Sequence, residues 1–307
     1  MRVVRRVALA VCVAAAVSGG FAAVARTSSE RTRADVAPFL TTPAGGPATT
    51  ARTEPSAAPP LVRLAVAGDV GTGGSSEYAT AAAMDRAERS RQFDALVLLG
   101  DNVYPSGDPA RLDATVLRPF RAVLDGDTQL FAALGNHDVK TGDGDGQVAA
   151  LGMPDRWYAR HLGSVLVVVL DSTRGDDPAQ RAWLEETLAN ATEPWKIIAM
   201  HHPPYSAGWH GSNETVRDAF SPLFERYGVQ LVLSGHDHDY QRSKPVNGVT
   251  YVVSGGAATL RETGSAQFTA ASRSTYHFVD VAARDDRLEV RAIQQDGRVF
   301  DAVTLAR

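Results

Sequence analysis

This sequence predicts an α/β fold, a four-layer α-β-β-α sandwich in which two mixed β-sheets pack together with helices outside. Three observations carry the prediction. Short, continuously apolar runs such as Ala95–Leu99 and Val165–Leu170 have the composition of buried parallel strands. Between them lie alanine-rich or mixed-charge stretches long enough for crossover helices, the alternation that a parallel sheet requires. After about residue 240 the helical stretches stop. Val249–Val253, Thr275–Ala282, Arg287–Ile293 and Arg298–Leu305 then read as antiparallel strands, with turns at Gly255–Gly256 and Asp296–Gly297. A parallel half followed by an antiparallel half makes two packed sheets.

The first 60 residues stand outside that fold. Met1–Arg6 carries Arg2, Arg5 and Arg6, an apolar run follows from Val7, and Ala23–Val24–Ala25 offers a small-residue cleavage site. This is the pattern of a secretory signal peptide over residues 1–25, which places the protein outside the cell or in the cell envelope. Val7–Ala25 approaches the roughly 20 residues of a membrane span. Its many alanines, Ser18 and the Gly19–Gly20 pair make it a poor anchor, so no stable span is expected after cleavage. Arg5–Arg6 admits the twin-arginine export route as well. Residues 26–60, rich in Ala, Thr, Pro and Ser, read as a disordered linker. The folded domain is expected over 61–307. Cys12 is the only cysteine and lies in the removable segment, so neither a disulfide nor a sulfur-ligated zinc is available to the rest of the chain. Removing the three arginines takes the formal charge from −4 to about −7, with no basic surface for nucleic acid.

Within the domain, Leu61–Ala67 is the first strand and ends in Gly68–Asp69–Val70–Gly71. Ser75–Arg91 follows as a helix capped by Ser75 or Ser76. Ala95–Leu99 runs into Gly100–Asp101–Asn102–Val103–Tyr104, and Asp108–Leu124 reads as a second helix. Gln129–Leu134 ends in Gly135–Asn136–His137–Asp138. Lys140–Gly163, rich in Gly and Asp, reads as a flexible loop; Asp143, Asp145 and Gly146 lack the final Glu that a calcium loop requires. Beyond Val165–Leu170, a helix from Pro178 to Leu188 leads to Trp195–Met200, which delivers His201–His202–Pro203–Pro204–Tyr205. Asn213–Tyr227 is helical, and Val229–Ser234 runs into Gly235–His236–Asp237–His238–Asp239–Tyr240.

Open α/β sheets bind ligands at the carboxyl ends of their strands. Here five such ends present Asp, Asp with Tyr, Asn, His, and His-x-His, and six of the eight histidines lie in or beside them. Carboxylates, an amide oxygen and imidazoles suit zinc, iron or manganese. Seven or eight ligands are too many for one tetrahedral ion. A pair of ions about 3.5–4 Å apart and sharing one carboxylate accounts for them better. His236 and His238 alternate along an extended stretch, so they face separate ions only if the backbone turns between them.

The blocks Asp69-x-Gly71, Gly100-Asp101-x-x-Tyr104, Gly135-Asn136-His137-Asp138, Ile198-x-x-His201 and Gly235-His236-x-His238 resemble the purple acid phosphatases, a branch of the calcineurin-like metallophosphoesterases. The likeness spans roughly Leu61 to Gly256, including Tyr240–Ser243. It implies the metallophosphoesterase fold and two metal ions. Asp69, Tyr104 and His238 would hold iron(III); Asn136, His201 and His236 would hold iron(II), zinc or manganese; Asp101 would bridge them. Asn136, His137, His202 and His210 would face the substrate. His137, with Asp138 fixing its ring, and His210 would serve as proton donor or phosphate clamp. The chain departs from the large plant members in lacking their N-terminal β-domain and a cysteine for their disulfide-linked dimer, which implies a compact monomer. His201–His202–Pro203–Pro204 is commoner among the related cyclic-nucleotide phosphodiesterases.

The implied activity is hydrolysis of small-molecule phosphate monoesters by a metal-activated hydroxide, an acid phosphatase. The rival on the same site is a phosphodiesterase or nucleotide-hydrolysing enzyme, and Tyr104 argues against it, because those relatives usually lack a phenol there. A protein Ser/Thr phosphatase is disfavoured by Asn102–Val103–Tyr104. A secreted metal- or phosphate-binding protein without turnover is the rival from another class, and it would not need every ligand position intact.

Overall fold

A computed structural model describes residues 61–307. The signal peptide and linker expected over 1–25 and 26–60 lie outside the described residues. β1 (Val62–Ala67) and β2 (Ala95–Leu98) are buried throughout and pair in parallel across α1 (Ser75–Glu88). Neither serine caps α1; Gly74 stands at the N-cap. The Glu77 carboxylate accepts from Gly73 N at 2.6 Å, and Thr72 Oγ1 accepts from Gly74 N at 3.0 Å. The glutamate three residues into the helix thus ties back the turn that precedes it, while no side chain caps the N–H groups of the first helical turn.

The helix expected over 108–124 is broken into a 3₁₀ turn at Pro109–Arg111, a π-turn at Asp113–Leu117 and the short α2 (Arg121–Leu124). Pro119 supplies no N–H to a continuous ladder. β3 (Gln129–Ala132) then pairs in parallel with β2. The stretch 140–163 is not a flexible loop, since it holds α3 (Asp145–Ala150) and the edge strand β4 (Tyr158–Leu162). Polar anchors order it: Arg156 reaches the buried Asp171 at 2.8 Å, and the Tyr158 hydroxyl meets the Ala132 backbone at 2.9–3.0 Å.

The second sheet grows from β5 (Val165–Val169), α4 (Pro178–Asn190), β6 (Trp195–Met200), α5 (Glu214–Arg226) and β7 (Leu231–Ser234). Asp177 and Asn213 cap the two helices, accepting from backbone N–H groups at 2.8–3.3 Å. β8 (Tyr240–Ser243), β9 (Thr250–Ser254), β10 (Thr269–Arg273), β11 (His277–Ala283), β12 (Arg287–Gln294) and β13 (Val299–Ala306) complete both sheets.

The strand orders are β13-β12-β11-β1-β2-β3 and β10-β8-β9-β7-β6-β5-β4. The C-terminal strands do not form an antiparallel half of their own. β9 lies parallel to β7, and β11 joins the first sheet antiparallel to β1. One core fills the space between the sheets, with Leu64, Leu96 and Phe278 facing Val167, Ile197 and Leu231. A second lies between the outer sheet and the helices, around Leu184, Phe220 and Phe224. Each such side chain contributes about 1.5–3 kcal/mol when fully buried. No helix among the described residues is long and apolar enough to cross a membrane. Two packed sheets with helices outside leave the carboxyl ends of β1, β2, β3, β6 and β7 at one rim.

Candidate metal centre

Each of those strands ends in a tight loop that turns a polar side chain back over the sheet. Asp69, Asp101 and His236 have φ of 59°, 53° and 72°. Non-glycine residues rarely adopt this left-handed conformation, and holding it costs on the order of 1–3 kcal/mol each. The glycines in the same loops provide clearance. A Cβ on Gly135 would lie 2.2 Å from Asp101 Oδ1, and one on Gly235 would lie 2.6 Å from Asp69 Oδ2. The backbone turn at His236 is the one needed to send the two histidines of His-x-His in different directions.

The donors gather in two groups. In the first, the Tyr104 hydroxyl lies 3.0 Å from Asp69 Oδ1 and 3.1 Å from His238 Nε2, and that nitrogen is 3.3 Å from Asp69 Oδ1. In the second, His201 Nε2 lies 3.0 Å from Asn136 Oδ1 and 3.2 Å from His236 Nδ1. Asp101 stands between them. Its Oδ1 is 3.6 Å from His201 Nε2, and donor atoms of Asp69, Asp101 and His201 all lie within 4.8 Å of one another.

Hydrogen bonding fixes how these groups face. His201 Nδ1 sits 2.9 Å from the Leu99 carbonyl, which can only accept, so that nitrogen carries the proton and Nε2 presents its lone pair. Burial, reinforced by His202, holds His201 well below the usual imidazole range and keeps it neutral. An imidazole lone pair, an amide oxygen and a second imidazole facing one another are the donor set of a cation. Tyr104 is pushed far above the ordinary phenol range by burial and by the charges of Asp69 and Asp101. Asp69 is raised to about 6, chiefly by burial, against its bonds with His238. A cation among these groups would relieve both costs. The residues fit a metal pair.

Two expectations about the surroundings change. Asp138 does not fix the His137 ring. Fully buried, it accepts from Gly135 N, Asn102 N and Val103 N at 2.9–3.1 Å and from Gln147 Nε2 at 2.8 Å. It ties the Asp101 loop to the Asn136 loop. His137 Nδ1 lies 2.7 Å from the Pro105 carbonyl and 2.9 Å from Lys140 Nζ, so it donates to the carbonyl when protonated there and accepts from the ammonium when not. His202 is turned away from the cleft. Its Nδ1 lies 3.0 Å from Ser172 Oγ, and it opens onto a neighbouring groove beyond Asn136. It nonetheless forms a three-histidine cluster with His201 and His236, a ligand option the sequence did not suggest.

A cleft of about 380 Å³ lies over the donors, lined by Asp101, Tyr104, Asn136, His137, His210 and His236 among others. His210 packs its ring 4.2 Å from that of His236, and its backbone N donates to the buried Asp237 at 2.7 Å. Asp237, the unremarked middle residue of His-x-His, therefore pins the His210 loop. Thr259 and Arg261 also line the cleft, with Thr259 Oγ1 2.6 Å from His238 Nδ1. No motif marked these two, because they come from an irregular segment after β9.

The comparisons agree with this geometry. The family model for calcineurin-like phosphoesterase matches residues 62–240. Tartrate-resistant acid phosphatase type 5 of Homo sapiens is 30% identical over 240 residues, covering 64% of this chain and 73% of its own. Purple acid phosphatase of Glycine max is 38% identical over 114 residues, covering 34% of this chain and 25% of that one. Among solved structures, purple acid phosphatase from yellow lupin seeds has a TM-score of 0.71 at 21% identity, over 80% of this chain and 54% of that one, a likeness of fold. With the matched model running from β1 to the start of β8 and the ligand-bearing loops in between, the chain belongs to the calcineurin-like phosphoesterase family as a purple acid phosphatase-like member, a phosphoesterase of the dinuclear-metal type.

Proposed function

We propose that the chain is an exported acid phosphatase that hydrolyses small phosphate monoesters. The observation that carries this reading is the Tyr104 hydroxyl, 3.0 Å from Asp69 and 3.1 Å from His238. A phenol among hard donors suits a trivalent ion, and we assign Asp69, Tyr104 and His238 to iron(III). Asn136, His201 and His236 are assigned to iron(II), zinc or manganese, with Asp101 shared. Bound there, two cations would neutralise phosphate charge and supply water acidified toward neutrality.

The chain's own residues do the rest. The strained loops at Asp69, Asp101 and His236 fix the donors before substrate arrives, so little reorganisation is left to the reaction. Asp138 holds the Asp101 loop in register with the Asn136 loop. His137 and His210 line the cleft together with Asn136 and His236. They are placed to orient the phosphate and to give the departing oxygen its proton, a role typically worth ~10²–10⁴-fold. Residues 1–25 are assigned to export and 26–60 to a linker, with 61–307 the catalytic domain.

The groove bounded by Asn136, Ser172 and His202 supports a second reading, because it leaves room for the second ester group of a diester. An aryl phosphate tested against the corresponding bis-aryl diester, with equal metal loading, decides between them. The proposal expects the monoester to be cleaved faster at acid pH. Faster diester cleavage would favour the phosphodiesterase, and two bound metals with neither reaction would favour a binding protein.

A further inference from the structure

We propose that Arg261, seated on Trp209, is a specificity residue that selects phosphate esters whose leaving group carries a second anion, a carboxylate or another phosphate. The inference rests on the phosphoesterase reading of the same cleft. Arg261 lines that cleft, and its backbone N–H donates to the His238 carbonyl at 2.9 Å. With Thr259 against the ring of His238, the segment carrying the guanidinium is tied directly to the oxygen-rich donors.

The guanidinium itself is directed elsewhere. It stands 5.7 Å from the ring centre of Trp209, which is 67% exposed, so it lies toward the mouth of the cleft. Among the described residues no carboxylate pairs with it. The other arginines near the site are engaged: Arg111 by the Tyr104 carbonyl, and Arg156 and Arg174 by Asp143. An unpaired guanidinium over an exposed indole is an open anion fork. The ring restrains its plane, and the outer N–H groups can take both oxygens of a carboxylate or phosphate. Asp101 and Arg261 line one cleft, so an ester phosphate seated over Asp101 leaves its leaving group the side of the cleft that Arg261 lines. Trp209 acts through Arg261 as a positioning residue and offers a flat face to an aromatic leaving group.

The test uses the metal-loaded full chain and two matched probe pairs. Phenyl phosphate and 4-carboxyphenyl phosphate report turnover; benzylphosphonate and 4-carboxybenzylphosphonate report binding by calorimetry without turnover. The parent should prefer the carboxylated member of each pair by tenfold or more, and high salt should shrink the preference. Arg261→Gln should collapse both ratios toward one, Arg261→Lys should restore part of them, and Trp209→Ala should lower them more than Trp209→Phe. Equal loss on both members, or no preference in the parent, would overturn the assignment of Arg261. Failure of both phosphates to be hydrolysed would instead sink the phosphatase reading, while the phosphonate ratios would still decide what Arg261 recognises.

Discussion

The two donor groups arise from the same backbone device, a strand end turned through a strained loop, yet they create opposite electrostatics. Around Asp69 and Tyr104, burial works against a charged ring, but the Asp69 carboxylate outweighs it and raises His238 above the usual imidazole range. Around Asn136, burial followed by His201, His202 and His210 pushes His236 down to about 2. One group is rich in anionic oxygen and attracts positive charge before any metal binds. The other is rich in neutral nitrogen and resists protons while keeping lone pairs available. Side-chain choice, on a shared loop geometry, thus gives two adjacent donor groups opposite preferences for charge, the contrast on which the proposed trivalent and divalent assignments rest.

The largest effect is expected where the two groups meet. Asp101→Asn removes the shared carboxylate, so metal content should fall at both positions and activity should drop below about a hundredth of the parent rate; even outer partners of metal ligands typically cost ~10–100-fold. Two full-occupancy ions with normal turnover would break the comparison at its centre. Next comes His137→Ala, which should retain both metals and slow hydrolysis by ~10²–10⁴-fold. The loss should be smaller for esters with acidic leaving groups. Equal losses on aryl and alkyl phosphates would make His137 a phosphate clamp rather than the proton donor.

Tyr104→Phe touches only the oxygen-rich group. Iron-loaded parent should show a visible charge-transfer band from the tyrosinate, giving a violet to pink colour, and the variant should lose it while keeping its fold and part of its rate. A colourless parent carrying full iron(III) would remove the phenolate from the account. The smallest effect concerns the scaffold beneath that group, where Glu77 is buried with Oε1 lacking a partner and Oε2 holding the Thr72–Gly73 turn. Burial, opposed by its bonds with Gly73 and Thr72, raises Glu77 from 4.5 to about 8. Between those pH values the folded chain keeps a proton that the unfolded chain has released, so stability falls as pH rises through that window. Glu77→Gln copies the protonated form. Its melting temperature should match the parent at pH 5 and exceed it by several degrees at pH 8.5, with metal content unchanged.

Much of this was legible in the sequence, for identifiable reasons. Apolar runs such as Ala95–Leu98 leave little choice but a buried strand, and Asp, Asn and His at successive strand ends announce a convergent site. Where order depends on polar contacts, the sequence misleads. Residues 140–163 resemble a loose loop by composition, but Gln147, Arg156 and Tyr158 find partners far away in the chain and order it. The 108–124 stretch has helical composition that Pro119 interrupts. β8 was visible as a motif and not as a strand, because Tyr240–Ser243 draws its pairing from β9 and β10. His202 shows the limit most clearly: adjacency to His201 suggested the cleft, while its ring packs behind His201 and His236 and opens onto the groove beyond Asn136. Thr259 and Arg261 could have been found only by knowing where the segment after β9 crosses the site.

Anomalous diffraction from metal-loaded crystals, measured on both sides of the iron absorption edge, tests the two-group account most directly. The account predicts two peaks roughly 3.5–4 Å apart on either side of Asp101, with the iron(III) signal at Asp69, Tyr104 and His238 and the divalent ion at Asn136, His201 and His236. A single peak, or iron at the nitrogen-rich group with nothing against Tyr104, would contradict it.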